Sequence, residues 1–170
     1  MKRKNIRWMP PLACAVLAVV LLLAGCSKTE TPLAFADKVA SANLGAEQAQ
    51  VPLGIDEQEL VKRLGKPIRT LNDGGRSFLF MYEDYQYASV DNEVVGYSLG
   101  PRSATGKGLK LGATKADVVK AYGESYYERG GSGPSATIGY LDKTNRLAME
   151  FELKDDRVKA ISVDSFKLYE

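Results

Sequence analysis

The chain contains no histidine and, past its first 26 residues, no cysteine. The first absence excludes Ser-His-Asp and Cys-His nucleophilic schemes and every histidine-bearing zinc site. The second excludes a disulfide in the exported domain, since the two cysteines, Cys14 and Cys26, both lie within the first 26 residues, so that domain must be held by its core. An excess of charge is lacking too. The formal +2 of the whole chain contains Lys2, Arg3, Lys4 and Arg7; without them 19 basic residues face 21 acidic ones, a net −2. A nucleic-acid binder needs a concentrated basic footprint, and none is present. The segment Gly100 to Gly108 (GPRSATGKG) fails the phosphate-loop spacing, which counted from Gly100 requires a glycine where Thr105 stands and counted from Gly106-Lys107 requires a hydroxyl residue where Gly108 stands. No cofactor motif and no spaced oxygen-ligand loop for calcium is found; Asp142, Asn145, Asp155 and Asp156 read as turn residues.

What is present begins with a leader. A basic end, MKRKNIR, precedes an apolar run from Leu12 to Leu23 that is too short to be a comfortable membrane span, the pattern of a secretion signal. Its ending, Leu23-Ala24-Gly25-Cys26, resembles the lipobox of bacterial lipoproteins. The resemblance implies cleavage before Cys26, lipidation of that thiol and attachment to a membrane surface, because two acyl chains anchor stably where one does not. The expected placement is extracytoplasmic, on the outer face of a plasma membrane, or on an outer membrane if the cell has one. Residues 1–25 are thus read as signal peptide and 26–51 as a lipid-anchored flexible tether.

The remaining 120 or so residues carry an internal repeat. LGIDEQELVKRLG (Leu53 to Gly65) returns as LGATKADVVKAYG (Leu111 to Gly123) at an offset of 58. Asp56 and Thr114 are equivalent N-caps, each followed three residues later by an acid, and Gly65 and Gly123 are equivalent stops. The apolar positions Leu60, Val61 and Leu64 become Val118, Val119 and Tyr122, one stripe per helix. Strand patterns follow at 77–82, 85–90 and 94–99, and again at 136–141, 146–153 and 158–163. Val94 matches Val158 at an offset of 64, so six residues are added in the second copy, and the loop from Glu128 to Pro134 is the expected place. The expected fold is α+β, two tandem units of a helix plus a three-stranded antiparallel meander, residues 52–108 with the link and 109–170, packed as one domain because neither half is large enough to be stable alone.

The pattern LG-x-[ST]-x-x-[DE]-V-x-x-x-x-G followed by strands, carried best by the second copy, resembles the SmpA/OmlA outer-membrane assembly lipoproteins, the β-lactamase-inhibitor-protein fold and Gram-positive lipoproteins built on the same unit. That resemblance speaks to fold, since those families share no single activity.

Candidate site residues are of two kinds. All nine tyrosines lie beyond the leader. Tyr85 and Tyr87 alternate onto one strand face, and Tyr126 and Tyr127 flank the glycine-rich loop; such amphipathic rings form a contact platform for a protein or glycan of the envelope, or else fill the core. The second kind is a carboxylate pair, Glu150 and Glu152, the basis of an alternative reading as a small cell-wall glycan hydrolase, although a strand sets two such residues about 7 Å apart without a cleft. A third reading is an inhibitor or sensor module that binds a secreted protein or ligand. The reading preferred from sequence is a lipid-anchored envelope interaction protein, with no catalytic residue, no metal and no nucleic acid.

Overall fold

In a computed structural model of the chain, residues 30–45, 50–130 and 135–170 are described. The leader, Cys26 and the tip of the 128–134 loop lie outside them.

The repeat is visible first in its hydrogen bonds. Gly54 donates its N–H to the Val94 carbonyl and Val94 donates back to Ile55, each at 2.8 Å; Gly112 and Val158 do the same, with Val158 donating to Ala113 at 2.9 Å. The Leu-Gly pair that opens each copy therefore hooks the chain onto the last strand of its own unit. Both glycines sit at positive φ, 90° and 88°, where a side chain would be strained. The helices follow at once, α1 (Glu57–Leu64) and α2 (Lys115–Tyr122). The Asp56 side chain accepts from Glu59 N–H at 2.7 Å. Thr114 and Asp117 form a reciprocal capping box, with bonds of 3.1 and 2.9 Å. Leu60 and Val118 are fully buried beneath them, each contributing about 2 kcal/mol of apolar burial. The end of each helix is tied down by a tyrosine of its own unit: Tyr82 donates to the Gly65 carbonyl at 3.1 Å and Tyr140 to that of Gly123 at 2.9 Å.

Each helix leads into four strands rather than three. The first unit has β1 (Arg69–Asn72), β2 (Ser77–Met81), β3 (Tyr85–Val90) and β4 (Glu93–Leu99); the second has β5 (Tyr127–Arg129), β6 (Ser135–Asp142), β7 (Leu147–Lys154) and β8 (Arg157–Ser165). The short strands β1 and β5 have no apolar alternation to announce them. The fold is α+β, but two packed three-stranded meanders are not what forms. All eight strands join in one antiparallel sheet in the order β1-β2-β3-β4-β8-β7-β6-β5. At its centre Ser98 pairs with Ser162, its own equivalent at an offset of 64, so an approximate twofold relates the halves through that pair. The register shift at Ala88/Ser89 recurs at Glu152/Leu153. The turns Asp91-Asn92 and Asp155-Asp156 both take positive φ, as tight hairpins require.

The ladder also relocates the six added residues. Arg69 pairs with Met81 and Tyr127 with Gly139, so the offset is 58 on both sides of the 128–134 loop, which has the same length in each copy. Phe80 pairs with Tyr87 and Ile138 with Phe151, so the offset changes from 58 to 64 between β6 and β7. The addition lengthens that hairpin beyond Tyr140, giving the pairs Leu141 with Ala148 and Asp142 with Leu147.

The lengthened hairpin holds the segment expected to be a free tether. Residues 30–45 are instead a strap. A 3-10 helix (Pro32–Phe35) lays Phe35 and Val39 on the back of the sheet, against Tyr127, Leu141, Ala148 and Phe166. Ser41 bridges Leu141, Ala42 donates to the Leu141 carbonyl at 2.8 Å, and Lys143 donates to Ser41 Oγ at 3.0 Å. The chain thereby crosses the sheet edge, and Leu44 and Val51 enter the main core with both helices. A few apolar side chains suffice because each is almost completely buried: Phe35, Val39, Leu44 and Val51 are all below a tenth exposed. A second 3-10 turn (Phe166–Tyr169) completes the cover of the back face, so these two segments pack mainly on the second unit, and the turn reaches the first at β4, where Lys167 donates to Glu93.

Candidate binding surfaces

Alternation does put Tyr85 and Tyr87 on one face, but that face is the core. Tyr87 is fully buried, in an aromatic group with Tyr82, Tyr85 and Tyr97 at ring separations of 6.0–6.1 Å. Burial holds its hydroxyl well above the usual tyrosine range. Tyr127 is buried as well, on the opposite face, its ring stacked under Phe35 at 4.8 Å and 9°. Neither belongs to an exposed platform: the Tyr127 hydroxyl is satisfied by Glu150, and the Tyr87 ring is held by its aromatic neighbours although its buried hydroxyl has no hydrogen-bond partner among the described residues. Tyr85 and Tyr126 remain half-buried. The Tyr126 ring lies beside Tyr140 at 6.1 Å, with the Lys115 ammonium 5.2 Å above it.

The two glutamates separate. Glu152 is exposed. Glu150 is buried and fully engaged: Arg129 donates Nε to Oε1 at 2.6 Å and a second nitrogen to Oε2, while the Tyr127 hydroxyl donates to Oε1 at 2.8 Å. Beside this group, on β8, Asp164 accepts from Ser162 at 3.2 Å and from Tyr169 at 3.1 Å. Burial pushes the Asp164 carboxyl up to about 6; the two hydrogen bonds oppose that shift and the Glu150 charge adds to it. Two glycines make room for the group. A Cβ on Gly139 would stand 2.2 Å from the Tyr127 ring, and one on Gly96 would stand 2.1 Å from Asp164 Oδ1. Glu150, Asp164, Arg129, Tyr127 and Tyr169 therefore form a closed polar seam that fastens the terminal segments to the sheet.

A groove of about 430 Å³ opens on the other face, between Val51–Gly54, Glu93, Tyr97, Asn145 and Ser165. Its acids are already occupied: Asp142 accepts from Asn145 through both oxygens, and Glu93 accepts from Lys167. Among the described residues no cluster of acids, histidines or cysteines is arranged to hold a metal, and no helix is long and apolar enough to cross a membrane.

Sequence reasoning passed over the outer edge of the first unit. β1 is a sheet edge whose four residues are all exposed. Ile68, just before it, is 75% exposed, and Leu71 is exposed within it. Lys66 and Arg69 flank that edge and make no ion pair among the described residues, whereas Lys62 and Arg63 bind Glu59 and Arg76 binds Asp91. A signal existed in the repeat. At an offset of 58, Lys66 becomes Glu124, Ile68 becomes Tyr126, Arg69 becomes Tyr127 and Leu71 becomes Arg129, so the copies diverge where one end strand lies under Phe35 and the other is exposed.

No family model and no curated protein matches the chain. Among solved structures, it is similar to an extracellular protein containing a SCP domain from Bacillus anthracis (13% identity, 71% of this chain and 50% of that one, TM-score 0.45). It is also similar to a cysteine-rich secretory protein from Staphylococcus aureus (13% identity, 68% and 45%, TM-score 0.43). The chain spans half or less of the length of these proteins. The resemblance to SmpA/OmlA, β-lactamase-inhibitor-protein-like and related lipoprotein families is corrected: no family model carries it. Its motif consists of caps, a helix stop and a Leu-Gly hook, features that any chain needing this local geometry will share.

Proposed function

We propose that the chain is an extracytoplasmic binding protein of the bacterial cell envelope, held to a membrane by lipid on Cys26 and performing no chemistry. The observation that carries the anchoring is the leader, in which a basic end, an apolar run and Leu23-Ala24-Gly25-Cys26 occur in order. The binding role is supported by the contrast between a second unit shielded by the chain's own terminal segments and a first unit whose outer strand is exposed, and by the engagement of Glu150 with Arg129 and Tyr127. The partner is an envelope protein or glycan.

The strap changes what the anchor would do. From Cys26 to Glu30 the chain reaches at most roughly 14 Å. A lipid on Cys26 would therefore hold the domain close against the bilayer instead of at the end of a long tether. Metabolic labelling with a radiolabelled fatty acid in cells expressing the natural chain and Cys26→Ala tests this reading. The natural chain is expected to take up the label and the variant not to; an unlabelled natural chain, or equal labelling of both, would refute the lipid on Cys26.

A further inference from the structure

We propose that the outer edge of β1 is a docking edge, and that its occupant is an extended, acidic segment of a partner polypeptide that adds to the sheet as a ninth strand. The proposal rests on the reading of this protein as a binding protein and names the chemistry of what it binds. An edge strand presents unpaired N–H and C=O groups at strand spacing, which an extended backbone satisfies directionally. Proteins commonly blunt such edges by covering them, and in the second unit the strap lies against and beside β5, although it adds no strand to it: Phe35 lies on Tyr127, Ala40 donates to Ser125 Oγ at 2.8 Å, and Ser41 bridges Leu141 of β6 just past the end of β5. Nothing among the described residues does this for β1.

Charge selects the occupant. Lys66 and Arg69 are exposed and, among the described residues, without ion-pair partners, whereas the same positions of the second unit are Glu124 and the buried Tyr127. Ile68 and Leu71 offer apolar contacts beside those cations. An incoming strand with acidic residues among apolar ones matches both features. A second copy of this chain fits poorly. Pairing β1 with another β1 brings Lys66 and Arg69 toward their own kind, and pairing β1 with β5 makes a head-to-tail contact that does not close. A lipid surface would meet the cations but leave the strand's backbone groups without directional partners.

The test uses the full chain in a mild nonionic detergent, a fluorescein-labelled peptide of alternating Glu and Val about six residues long, its Lys-Val counterpart, and phosphatidylglycerol vesicles. The Glu-Val peptide is expected to bind, and to slow amide hydrogen exchange across residues 69–72. Lys66→Glu with Arg69→Glu should weaken that binding roughly tenfold or more. Lys154→Glu with Lys159→Glu, the same charge change elsewhere on the surface, should not. Failure of the Glu-Val peptide to bind, equal binding of the Lys-Val peptide, protection that spares residues 69–72, or vesicle binding in place of peptide binding would each overturn the proposal. Its failure is separable from failure of the parent reading: an envelope partner captured equally by the natural chain and by Lys66→Glu with Arg69→Glu leaves a binding protein whose site is not β1.

Discussion

The two halves of this molecule share a backbone plan down to the register shift, the turn conformations and the hook of each Leu-Gly onto its own last strand. They differ in what lies on the back of the sheet. In the second half, Tyr127, Glu150 and Ala148 are buried under the strap and the C-terminal turn. In the first, the positions at matching offsets are Arg69, Gln86 and Asp84, all at least partly exposed. The lesson is that a duplicated unit too small to stand alone need not resolve its exposed surfaces symmetrically. Here one copy is closed by added chain, a longer hairpin and two terminal segments, and the other is left open.

The comparison can be broken most sharply at Gly139 and its equivalent, Met81. Gly139→Ala drives a Cβ into the Tyr127 ring and should lower stability by about 3 kcal/mol. Met81→Ala, at the open copy of the same position, should cost less than about 1 kcal/mol because the side chain is only half-buried. Denaturant midpoints measure both, and equal losses would show that the back faces are not differently packed.

A pH effect sharpens the contrast next, because the first unit has glycine at the position matching Asp164, Gly100. The folded Asp164 carboxyl titrates near 6, above the roughly 3.9 of an unfolded aspartate, so between those values the folded state holds more protons. Its contribution to stability is therefore lost as pH rises from about 4 to 6, on the order of 1–3 kcal/mol, and is constant above that window. Asp164→Asn should remove the slope, so the difference between variant and natural chain isolates this group; parallel curves would mean that the carboxyl is not raised. The helix starts give a smaller effect. Asp117 is held by the Thr114 hydroxyl and backbone, which lower its pKa, whereas the Glu59 side chain turns to Arg63 and Lys62. Asp117→Ala should lower the denaturant midpoint more than Glu59→Ala, because it also removes the acid partner of the capping box.

Much of this was legible in the sequence, for identifiable reasons. The helices announce themselves through Asp56 and Thr114 as caps and Gly65 and Gly123 as stops. Six of the strands do so through alternation or turn residues, as with Leu147, Met149, Phe151 and Leu153. The strap was not legible, because Phe35, Val39, Leu44 and Val51 are too sparse to form a periodic face and are buried on two different sides of the sheet. The site of the six-residue addition was hidden because a glycine-rich loop invites it, while the residues that contain it, 141–148, read as part of a hairpin. The tyrosine platform failed at Tyr87 and Tyr127 because strand alternation names a shared face without saying whether that face is wet.

The central claim, one end strand overlain by the strap and the other exposed, is tested most directly by amide hydrogen exchange compared between Arg69–Asn72 and Tyr127–Arg129 in the natural chain and in Phe35→Ala. The account predicts fast exchange at β1 and slow exchange at β5 in the natural chain, and a rise at β5 alone in the variant. Equal exchange at the two edges of the natural chain, or no change at β5 when Phe35 is removed, would contradict it.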